Sequence, residues 1–385
     1  MARIVVAMSG GVDSSVTAAL LHAQGHDVIG VTLDVWPSET PQAQRQRKAC
    51  CGTSAVEDAR RVADRLGIPY YVLNFRELFR ETVIADFVRE YQRGRTPNPC
   101  VRCNQHVKFR PVLARAAILG ADYVATGHYV RREQDPRTGR YVLRRASDHG
   151  KDQSYVLWPV QQDELARTLF PLSDIDKQEV RTLARSFGLA VADKPESQEI
   201  CFVPAGGYRQ YLQQVAPETF EPGLMLSTEG EVLGQHPGVA FFTLGQRRGL
   251  GFPHSQPMYV VDIQPERNVV VVGDEADIYT RELLAEEANW IARSDLDSPQ
   301  RVLARVRYRM KVAPATVYPA ESAGAMRVVF DEPQRAITPG QSVVLYDDDL
   351  LLGGGIITAT ERSQPAAGRS NELPALDSPA LVSVT

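Results

Sequence analysis

A chain of 385 residues exceeds what a single ordinary hydrophobic core needs, so two or three domains are expected. Its composition, 43% hydrophobic and 23% charged with no apolar run of membrane-spanning length, excludes a membrane protein, and five cysteines without a signal or transit peptide predict a cytoplasmic chain that lacks a disulfide framework. A net charge of −4 excludes a uniformly basic nucleic-acid binder, so an acidic polymer would have to bind at local basic patches.

Strand-like and helix-like patterns alternate in the N-terminal part of the chain. In order, they predict a buried strand at 4–7, a helix at 14–24, a strand at 27–33, a helix at 54–66, a strand at 70–73, a long helix at 77–93 and a strand at 123–126. This order predicts a doubly wound parallel sheet with helices on both faces. Because ligands bind at the carboxyl ends of such strands, residues 9–14, 33–34 and 127–128 are expected to converge.

The later part of the chain is richer in short strands. The further predicted elements are a basic hairpin at 131–145, a helix at 177–187, and strands at 258–263, 269–272, 301–312 and 341–346. Short alternating strands of this kind are typical of an antiparallel barrel or sandwich. We therefore predict an α/β domain at 1–203, a small β-rich domain at 204–280, a C-terminal antiparallel β-barrel at 281–362 and a disordered tail at 363–385.

The segment at 7–14, Ala-Met-Ser-Gly-Gly-Val-Asp-Ser, joins a predicted strand to a predicted helix. Its N–H groups and the positive helix end would face one point, which suits a polyphosphate. It lacks the Gly-Lys-Ser/Thr of a Walker loop and the third glycine of a dinucleotide fingerprint. The segment resembles the PP-loop signature of ATP pyrophosphatases, which cleave ATP between the α and β phosphates and leave AMP on a substrate. The alternative is a structural glycine-rich turn with Ser14 as the helix cap.

Three cysteines stand in contexts that indicate chemistry: Cys100 and Cys103 in a CxxC, and Cys201 far along the chain. Asn98 can cap a helix whose first residue is Pro99, which places Cys100 and Cys103 on one helix face. The helix start and the basic residues Arg102, His106 and Lys108 are expected to favour the reactive thiolate. Structural zinc would need a second paired set of ligands, which adjacent Cys50 and Cys51 do not supply, and these two are explained as inert buried thiols.

Six segments together resemble the bacterial tRNA-specific 2-thiouridylases over about residues 3 to 360. They are the PP-loop, Asn-Pro-Cys-Val-Arg-Cys-Asn at 98–104, Ala-Thr-Gly-His-Tyr at 125–129, Lys-Asp-Gln-Ser-Tyr at 151–155, Ser-Gln-Glu-Ile-Cys-Phe at 197–202 and Gly-Gln-Arg-Arg-Gly at 245–249. In that family the wobble uridine of certain tRNAs is adenylated at its 2-oxygen and then receives sulfur from a protein persulfide. The resemblance implies that Cys201 bears the persulfide and that Cys103 is the nucleophile that forms a transient disulfide with it. The sulfur would come from a cysteine desulfurase through a sulfur-relay protein.

The resemblance also implies the binding residues. Ser9 and Ser14 would bond phosphate oxygens, and Asp13 would act catalytically through a metal, for which we expect Mg²⁺. The implied ATP-binding residues are Ala7, Met8, Ser9, Gly10, Gly11, Val12, Asp13, Ser14, Leu33 and Gly127. The implied tRNA-binding residues are Asn98, Pro99, Cys100, His128, Lys151, Asp152, Gln153, Arg307, Tyr308 and Gln341.

Basic segments supply further candidates for the grip on RNA phosphates, independently of the resemblance. One set is Arg131, Arg132, Arg144, Arg145, Lys151, Arg247 and Arg248. A second set forms a basic stripe on one face of the predicted strand at 301–312, and it consists of Arg301, Arg305, Arg307, Arg309 and Lys311. For any single arginine, a solvated strand face explains the position as well as contact with RNA does.

Three alternatives remain at this point. Some members of the family have Asp where this chain has Cys100, and with a cysteine here Cys100, Cys103 and Cys201 could hold an iron–sulfur cluster, which we rank below the persulfide route. A PP-loop enzyme could instead adenylate a small carboxylate or a ureido oxygen for amination. A tRNA-binding or assembly protein with an inactive loop would need only the barrel and the basic residues. Iron and sulfide analysis tests the cluster, and pyrophosphate release that depends on tRNA distinguishes the thiolating enzyme from the other two alternatives.

Overall fold

The computed structural model describes residues 1–36, 53–195, 200–204, 206–217, 220–253 and 256–361. The predictions for Cys50 and Cys51, for 197–199 of the Ser-Gln-Glu-Ile-Cys-Phe segment and for the tail at 363–385 lie outside the described residues. None of the helices within these ranges combines the length and the apolar character needed to cross a bilayer.

A five-stranded parallel sheet forms the centre of the N-terminal region. Its strands, in spatial order, are β3 (Tyr70–Asn74), β2 (Asp27–Asp34), β1 (Arg3–Ala7), β4 (Tyr123–Ala125) and β7 (Thr168–Leu169). Ile4 and Val6 of β1 contact one hydrophobic cluster, whereas Val5 contacts another. Both faces of the sheet are therefore buried, as a doubly wound sheet requires, and the predicted fold class is confirmed.

Helices cover these two faces and continue into the central region. In chain order they are α1 (Val12–Ala23), α2 (Thr53–Leu66), α3 (Arg76–Phe79), α4 (Ala85–Gln92), α5 (Pro99–Cys103), α6 (Arg110–Ile118), α7 (Gln162–Ala166), α8 (Lys177–Ser186) and α9 (Gly207–Val215). The short 3₁₀ turns are at Ser154–Val156, Val239–Phe241, Pro265–Arg267 and Glu275–Ile278.

The helix predicted at 77–93 is confirmed as a continuous helical stretch over 76–92, but it is not a regular α-helix throughout. A π-helical turn at Arg80–Ile84 separates α3 from α4, and a second one at Asn104–Lys108 follows α5. The wider turn brings the neighbours Val83 and Ile84 into the core together, at 1% and 8% exposure. The π-helical turn thus interrupts the regular α-helix and allows two adjacent β-branched residues to be buried.

The middle of the chain forms a four-stranded sheet. Its strands, in spatial order, are β10 (Tyr259–Gln264), β11 (Val269–Gly273), β8 (Gly223–Ser227) and β9 (Val232–His236). β11 and β8 run parallel, whereas the other two pairs are antiparallel. Met225, Val260 and Val270 form its core, so this region has a hydrophobic cluster of its own, as a small β-rich unit requires.

A closed antiparallel barrel follows. Its strands are β12 (Tyr279–Trp290), β13 (Gln300–Arg305), β14 (Ala313–Pro319), β15 (Met326–Arg335), β16 (Ser342–Asp347) and β17 (Leu350–Thr360). The first strand, β12, pairs with the last strand, β17, which closes the sheet and removes its open edges. The predicted C-terminal β-barrel is confirmed.

The basic hairpin joins this barrel sheet rather than the parallel sheet. It consists of β5 (Val130–Gln134) and β6 (Tyr141–Arg145), and β6 pairs with β17 through Leu143 and Leu351. The hairpin extends the barrel sheet to eight strands. Residues inserted between β4 and α8 of the α/β region therefore connect it to the C-terminal barrel.

The predicted strand at 301–312 is wrong beyond Arg305. β13 ends there, and the chain turns so that the Met310 N–H donates to the Arg307 carbonyl at 3.1 Å. The predicted basic stripe on one strand face is consequently absent: Arg301 pairs with Asp331 at 2.6 Å, and Arg305 is buried. The alternating pattern came from a strand and the turn region that follows it.

Candidate nucleotide-binding loop and thiol site

The predicted ATP-binding loop connects β1 to α1 at the carboxyl edge of the parallel sheet. α1 begins at Val12 rather than at Ser14, with Gly11 as the N-cap and with no side-chain cap among the described residues. Ser14 is therefore not the cap; its hydroxyl accepts a hydrogen bond from the Ser9 N–H at 3.1 Å and lies 3.3 Å from the Ser9 hydroxyl. The N–H groups of the first turn have no partner within the helix and carry the positive end of its dipole, so they can bind an anion.

Buried residues anchor the two ends of the loop. Ala7 is the last residue of β1, and Met8 and Val12 are 2% and 4% exposed. The Met8 N–H donates to the Val31 carbonyl at 2.7 Å, and the Met8 carbonyl accepts from the Thr32 hydroxyl at 2.6 Å. The side chains of Met8 and Val12 belong to the core, and the Met8 N–H and carbonyl are bonded within the protein, so these residues fix the ends of the loop.

Gly10 is the point where the loop passes closest to α2. Its φ is 72°, and a Cβ at this position would lie 2.3 Å from the Ala55 carbonyl oxygen. Lys194 fixes the same point, because its Nζ donates to the Gly10 carbonyl at 3.0 Å and to the Asp58 carboxylate at 2.7 Å. The shape of the loop thus depends on a glycine and on a distant lysine that the sequence analysis did not identify.

Asp13 points from the first turn of α1 to two partners outside the loop. The Tyr129 hydroxyl donates to its Oδ1 at 2.6 Å, and Lys177 Nζ lies 2.7 and 2.8 Å from its two carboxylate oxygens. Lys177 is the first residue of α8, and its side chain is 12% exposed. The sequence analysis missed both partners, since they lie 116 and 164 residues from Asp13. The Lys177 ammonium group therefore already places a positive charge beside the loop.

Gly127 lies against the start of α1. A Cβ on Gly127 would be 2.8 Å from the Ser14 amide nitrogen. The pairing of β1 with both β2 and β4 places the ends of those strands on either side of the loop. Leu33, near the end of β2, is partly buried against the second core cluster. The expected convergence of the three strand ends is confirmed.

The first two thiols lie on α5. The Asn98 Oδ1 accepts from the Val101 N–H at 3.3 Å, and Pro99 is the first residue, so the predicted cap and helix start are confirmed. Cys100 is exposed, whereas Cys103 is partly buried. Neither of them is in a disulfide, and the same holds for the exposed Cys201. Among the residues that the structure describes, no three His, Cys, Asp or Glu side chains form a group that could hold a metal ion.

The residues that flank Cys201 share a hydrophobic cluster with Cys103. Phe202 is buried in this cluster, and Cys103 and Ile200 pack against it. The Phe202 ring contacts the Phe79 and Phe87 rings edge-on, with centroids 5.6 and 5.2 Å apart. These contacts fix the segment that carries Cys201 on the same core as the helix that carries Cys103.

The expected stabilisation of a thiolate is wrong for Cys103. Burial raises the pKa of its thiol, and the opposing effect of Lys108 is smaller. Cys103 lies in the middle of a helical stretch, because the chain continues from α5 into the π-helical turn at Asn104–Lys108, so the helix start gives its thiolate little support. Arg102 is directed to Asp86 and Glu287. The thiol of Cys103 therefore begins in its neutral form unless a bound partner changes its surroundings.

Asp152 holds a buried polar centre. It is 4% exposed, and its carboxylate lies 3.2 Å from the Arg145 guanidinium and 3.7 Å from that of Arg305. On either side of it, the half-buried Lys151 donates its N–H to the Asp148 carbonyl, and the Gln153 Oε1 accepts from the Tyr129 N–H at 3.1 Å. Asp152 thus organises two arginines inside the protein and does not present its carboxylate to solvent.

Arg307 and Gln341 connect regions of the chain. Arg307 donates to the Leu244 and Ala336 carbonyls at 3.1 and 2.9 Å, and burial lowers its pKa. Gln341 donates to the Thr96 carbonyl at 2.9 Å and to the carbonyl of the next residue at 3.1 Å. Both side chains are therefore engaged in contacts within the protein.

Tyr308 and His128 are two aromatic residues among those predicted to contact tRNA. Tyr308 is 39% exposed, and its ring lies edge-on to the buried Tyr155 ring at 5.9 Å. Burial raises the pKa of Tyr308, with smaller contributions from the nearby charge of Asp152 and from Cys100. Burial also lowers the pKa of His128 well below its usual range, so its imidazole is neutral at pH 7.

Most of the predicted basic candidates are engaged in ion pairs or hydrogen bonds. Arg131 and Arg144 each pair with Glu133 and Asp349. Arg132 donates to the Thr168 carbonyl at 2.9 Å, and Arg145 pairs with Asp152. By contrast, Arg247 and Arg248 are exposed and form no ion pair with another described residue. These two are the arginines of the first set that remain available to an anionic partner.

The parallel sheet, the glycine loop after β1 and the uncapped start of α1 define an α/β nucleotide-binding protein of the PP-loop class. Residues 2–205 match the family model described as the tRNA methyl transferase HUP domain, 209–274 match the tRNA methyl transferase PRC-barrel domain, and 280–357 match the aminomethyltransferase beta-barrel domain. With the relatives described next, these matches show that the chain belongs to the tRNA-specific 2-thiouridylase family.

Three relatives are similar along nearly their whole length. The tRNA-specific 2-thiouridylase MnmA of Moorella thermoacetica is 55% identical over 353 residues, which is 92% of this chain and 98% of that protein. The protein of the same name from Symbiobacterium thermophilum is 52% identical over 358 residues, 92% of each chain. That of Clostridioides difficile is 48% identical over 355 residues, 92% of this chain and 98% of the relative.

Proposed function

We propose that this protein synthesises 2-thiouridine in tRNA by adenylating the wobble uridine with ATP and then transferring sulfur from a protein persulfide. The observation that carries the proposal is that one α/β unit holds both a PP-loop and, on a shared core cluster, Cys103 and the segment of Cys201. A uridine carbonyl is a poor electrophile until its oxygen becomes a good leaving group, which adenylation provides. Sulfur delivery then needs two thiols, one to carry the sulfur and one to release it.

The loop would perform the adenylation. The N–H groups at the start of α1 would hold the phosphates of ATP while the uridine 2-oxygen attacks the α-phosphorus and pyrophosphate leaves. The Asp13 carboxylate is the kind of hard oxygen ligand that Mg²⁺ prefers, and we propose that it would hold this ion, which would neutralise phosphate charge. Lys177 contacts both Asp13 carboxylate oxygens, so it would have to release one of them for Asp13 to bind Mg²⁺. Its ammonium group would then be close to the phosphates.

The thiols would perform the second step. The terminal sulfur of a Cys201 persulfide would attack C2 of the adenylated uridine, and AMP would leave with the former 2-oxygen. The Cys103 thiolate would then attack the Cys201 sulfur and break its bond to the transferred sulfur, which leaves 2-thiouridine and a Cys103–Cys201 disulfide. A dithiol reductant would restore the thiols, and a sulfur-relay protein fed by a cysteine desulfurase would recharge Cys201. We place this reaction in the cytoplasm.

The surface around α5 would receive the tRNA. The exposed Tyr308 ring offers a platform on which an extruded base can stack. Asn98, Pro99 and Cys100 would flank that base, and His128, Lys151 and Gln153 would contact the RNA nearby. We assign positioning roles to Asp152, Arg307 and Gln341, because their polar groups already bind within the protein.

Two rival chemistries remain testable. An iron–sulfur cluster on Cys100, Cys103 and Cys201 would replace the persulfide, and iron and sulfide analysis of anaerobically purified protein decides this point: a stoichiometric cluster required for activity contradicts the persulfide route. A PP-loop enzyme for a small carboxylate or ureido acceptor would release pyrophosphate with that acceptor and without tRNA.

We expect the wild-type protein to release pyrophosphate from ATP only when tRNA is present, and Lys177→Met to lower this rate about a hundredfold. Without the ammonium group, the Asp13 carboxylate is left unpaired beside the phosphates, and no cation offsets their charge. The measurement is a coupled assay of pyrophosphate with nucleoside mass spectrometry of the tRNA. Arg185→Met is the control, because Arg185 lies on the same helix, α8, and pairs with Asp193 at the surface. Unchanged release by Lys177→Met contradicts its role, and tRNA-independent release contradicts the proposed substrate.

The double substitution of Arg247 and Arg248 by alanine is expected to weaken tRNA binding and to reduce the salt dependence of binding by about two phosphate contacts. Both guanidinium groups are exposed, so their loss removes contacts with phosphate without breaking an internal pair. Titrations of labelled tRNA at several salt concentrations measure the slope. Arg301→Ala should leave the slope nearly unchanged, since that arginine is neutralised by Asp331. If the double variant shows the wild-type salt dependence of tRNA binding, Arg247 and Arg248 do not contact the tRNA phosphates.

A further inference from the structure

Arg102 lies between Cys100 and Cys103 on α5 and connects this helix to the barrel. Its two terminal nitrogens donate to the two carboxylate oxygens of Glu287 at 2.5 and 2.7 Å, and its Nε lies 3.3 Å from the Asp86 carboxylate. The Arg102 side chain is only 11% exposed. A bidentate pair of this kind fixes orientation as well as distance, because two parallel hydrogen bonds hold a planar group.

Glu287 makes this contact from an uncommon backbone conformation. It lies in β12 with a φ of 53°, where the register between β12 and β17 shifts between Glu286 and Asn289. A left-handed conformation costs free energy in any residue other than glycine, and it persists only where the surrounding structure holds it. The bulge directs the carboxylate away from the barrel sheet toward α5. The strained backbone of Glu287 therefore supports the contact between the barrel and α5.

The barrel also holds the other end of α5. Gln341 donates to the carbonyls of residues 96 and 97, which precede the helix, and the Thr96 N–H donates to the Pro339 carbonyl at 2.9 Å. α5 spans five residues and continues directly into the π-helical turn at Asn104–Lys108, and this short, irregular helical segment depends on contacts with the rest of the protein. Its orientation is consequently set by tertiary contacts, and the barrel supplies them on both sides of the thiols.

We propose that Glu287 is a positioning residue that, through Arg102, fixes the thiols of α5 relative to the barrel. The inference rests on the proposed function, in which tRNA contacts both the barrel and α5. Without the Glu287 carboxylate, Arg102 keeps Asp86 and loses its connection to the barrel, so α5 can rotate. The sulfur step then slows, while tRNA still binds to an intact surface.

The test compares Glu287→Gln with a matched control in the full-length protein. Glutamine keeps the side-chain length and the backbone requirement but removes the charge. Glu282→Gln is the control, because Glu282 lies on the same strand and pairs with Arg327 at 2.9 Å, away from the thiols. For each protein, kcat and KM for tRNA thiolation are measured, together with the rate at which iodoacetamide alkylates Cys103, followed by peptide mass spectrometry.

We expect Glu287→Gln to lower kcat about tenfold or more with KM for tRNA unchanged. Alkylation of Cys103 should become faster, because rotation of α5 exposes a thiol that is now partly buried. The control should match the wild type in both measurements. A Glu287→Gln protein with wild-type kcat or with an unchanged alkylation rate overturns the inference, as do equal effects in the control. If the wild type does not thiolate tRNA, the proposed function fails, and the alkylation rates still decide whether Glu287 holds α5.

Discussion

Replacement of Cys201 by serine, or of Cys103 by serine, is expected to abolish tRNA thiolation and to leave ATP binding and tRNA-dependent pyrophosphate release intact. A serine hydroxyl can neither carry sulfane sulfur nor break a persulfide, whereas the nucleotide site at the start of α1 does not use these side chains. Mass spectrometry of the tRNA nucleosides measures thiolation, and isotope-labelled ATP measures pyrophosphate release in the same reactions.

Cys100→Asp is the companion variant, because some family members have Asp at this position. Under the persulfide route it retains thiolation, since Cys103 and Cys201 remain. If either serine variant thiolates tRNA at the wild-type rate, the role proposed for that cysteine is wrong. Loss of thiolation in Cys100→Asp together with loss of stoichiometric iron would favour the cluster instead.

Gly10→Ala has the second large effect: it lowers the free energy of unfolding by about 3 kcal/mol and strongly reduces pyrophosphate release. The new Cβ would stand 2.3 Å from the Ala55 carbonyl oxygen in a backbone with φ of 72°, so the loop must move away from α2. That movement displaces the N–H groups that would hold the phosphates. Denaturant unfolding and the coupled pyrophosphate assay measure the two effects.

Gly67→Ala is the control that separates the effect of backbone strain from the effect of a steric clash. Gly67 has a φ of 68°, nearly that of Gly10, but a Cβ there meets no atom within 4 Å. We expect this control to lose only about 1 kcal/mol of stability and to keep its pyrophosphate release. Equal losses in the two variants would mean that the contact with Ala55 does not shape the loop.

The sequence predicts well those features that depend on local patterns. Periodicity and glycine positions identified the parallel sheet, the loop after β1 and the barrel, and the Asn98 cap followed from residue types alone. The convergence of the loop with Gly127 followed from a general rule about parallel strands. Each of these predictions needs only neighbours in sequence or the topology of one sheet.

Features that depend on distant partners could not be predicted. Lys177 on Asp13 and Lys194 on Gly10 come from segments that carry no recognisable motif. The prediction of a basic stripe failed because a turn and a strand can share one alternating pattern, and because Arg301 and Arg305 pair with carboxylates of the protein itself. The same limit applies to the Cys103 thiol, whose burial outweighs the charges that surround it in sequence.

The attachment of the hairpin to the barrel has a consequence for biosynthesis. Arg144 of β6 bonds Asp349, which lies 205 residues later in the chain, so at synthesis rates of about 5 to 20 residues per second the hairpin waits roughly 10 to 40 s for the strand that it joins. During that interval β6 presents an unpaired edge on the ribosome, where another nascent chain can add to it. The arginines of the hairpin, neutralised by Asp349 in the finished protein, then act as charged gatekeepers against aggregation.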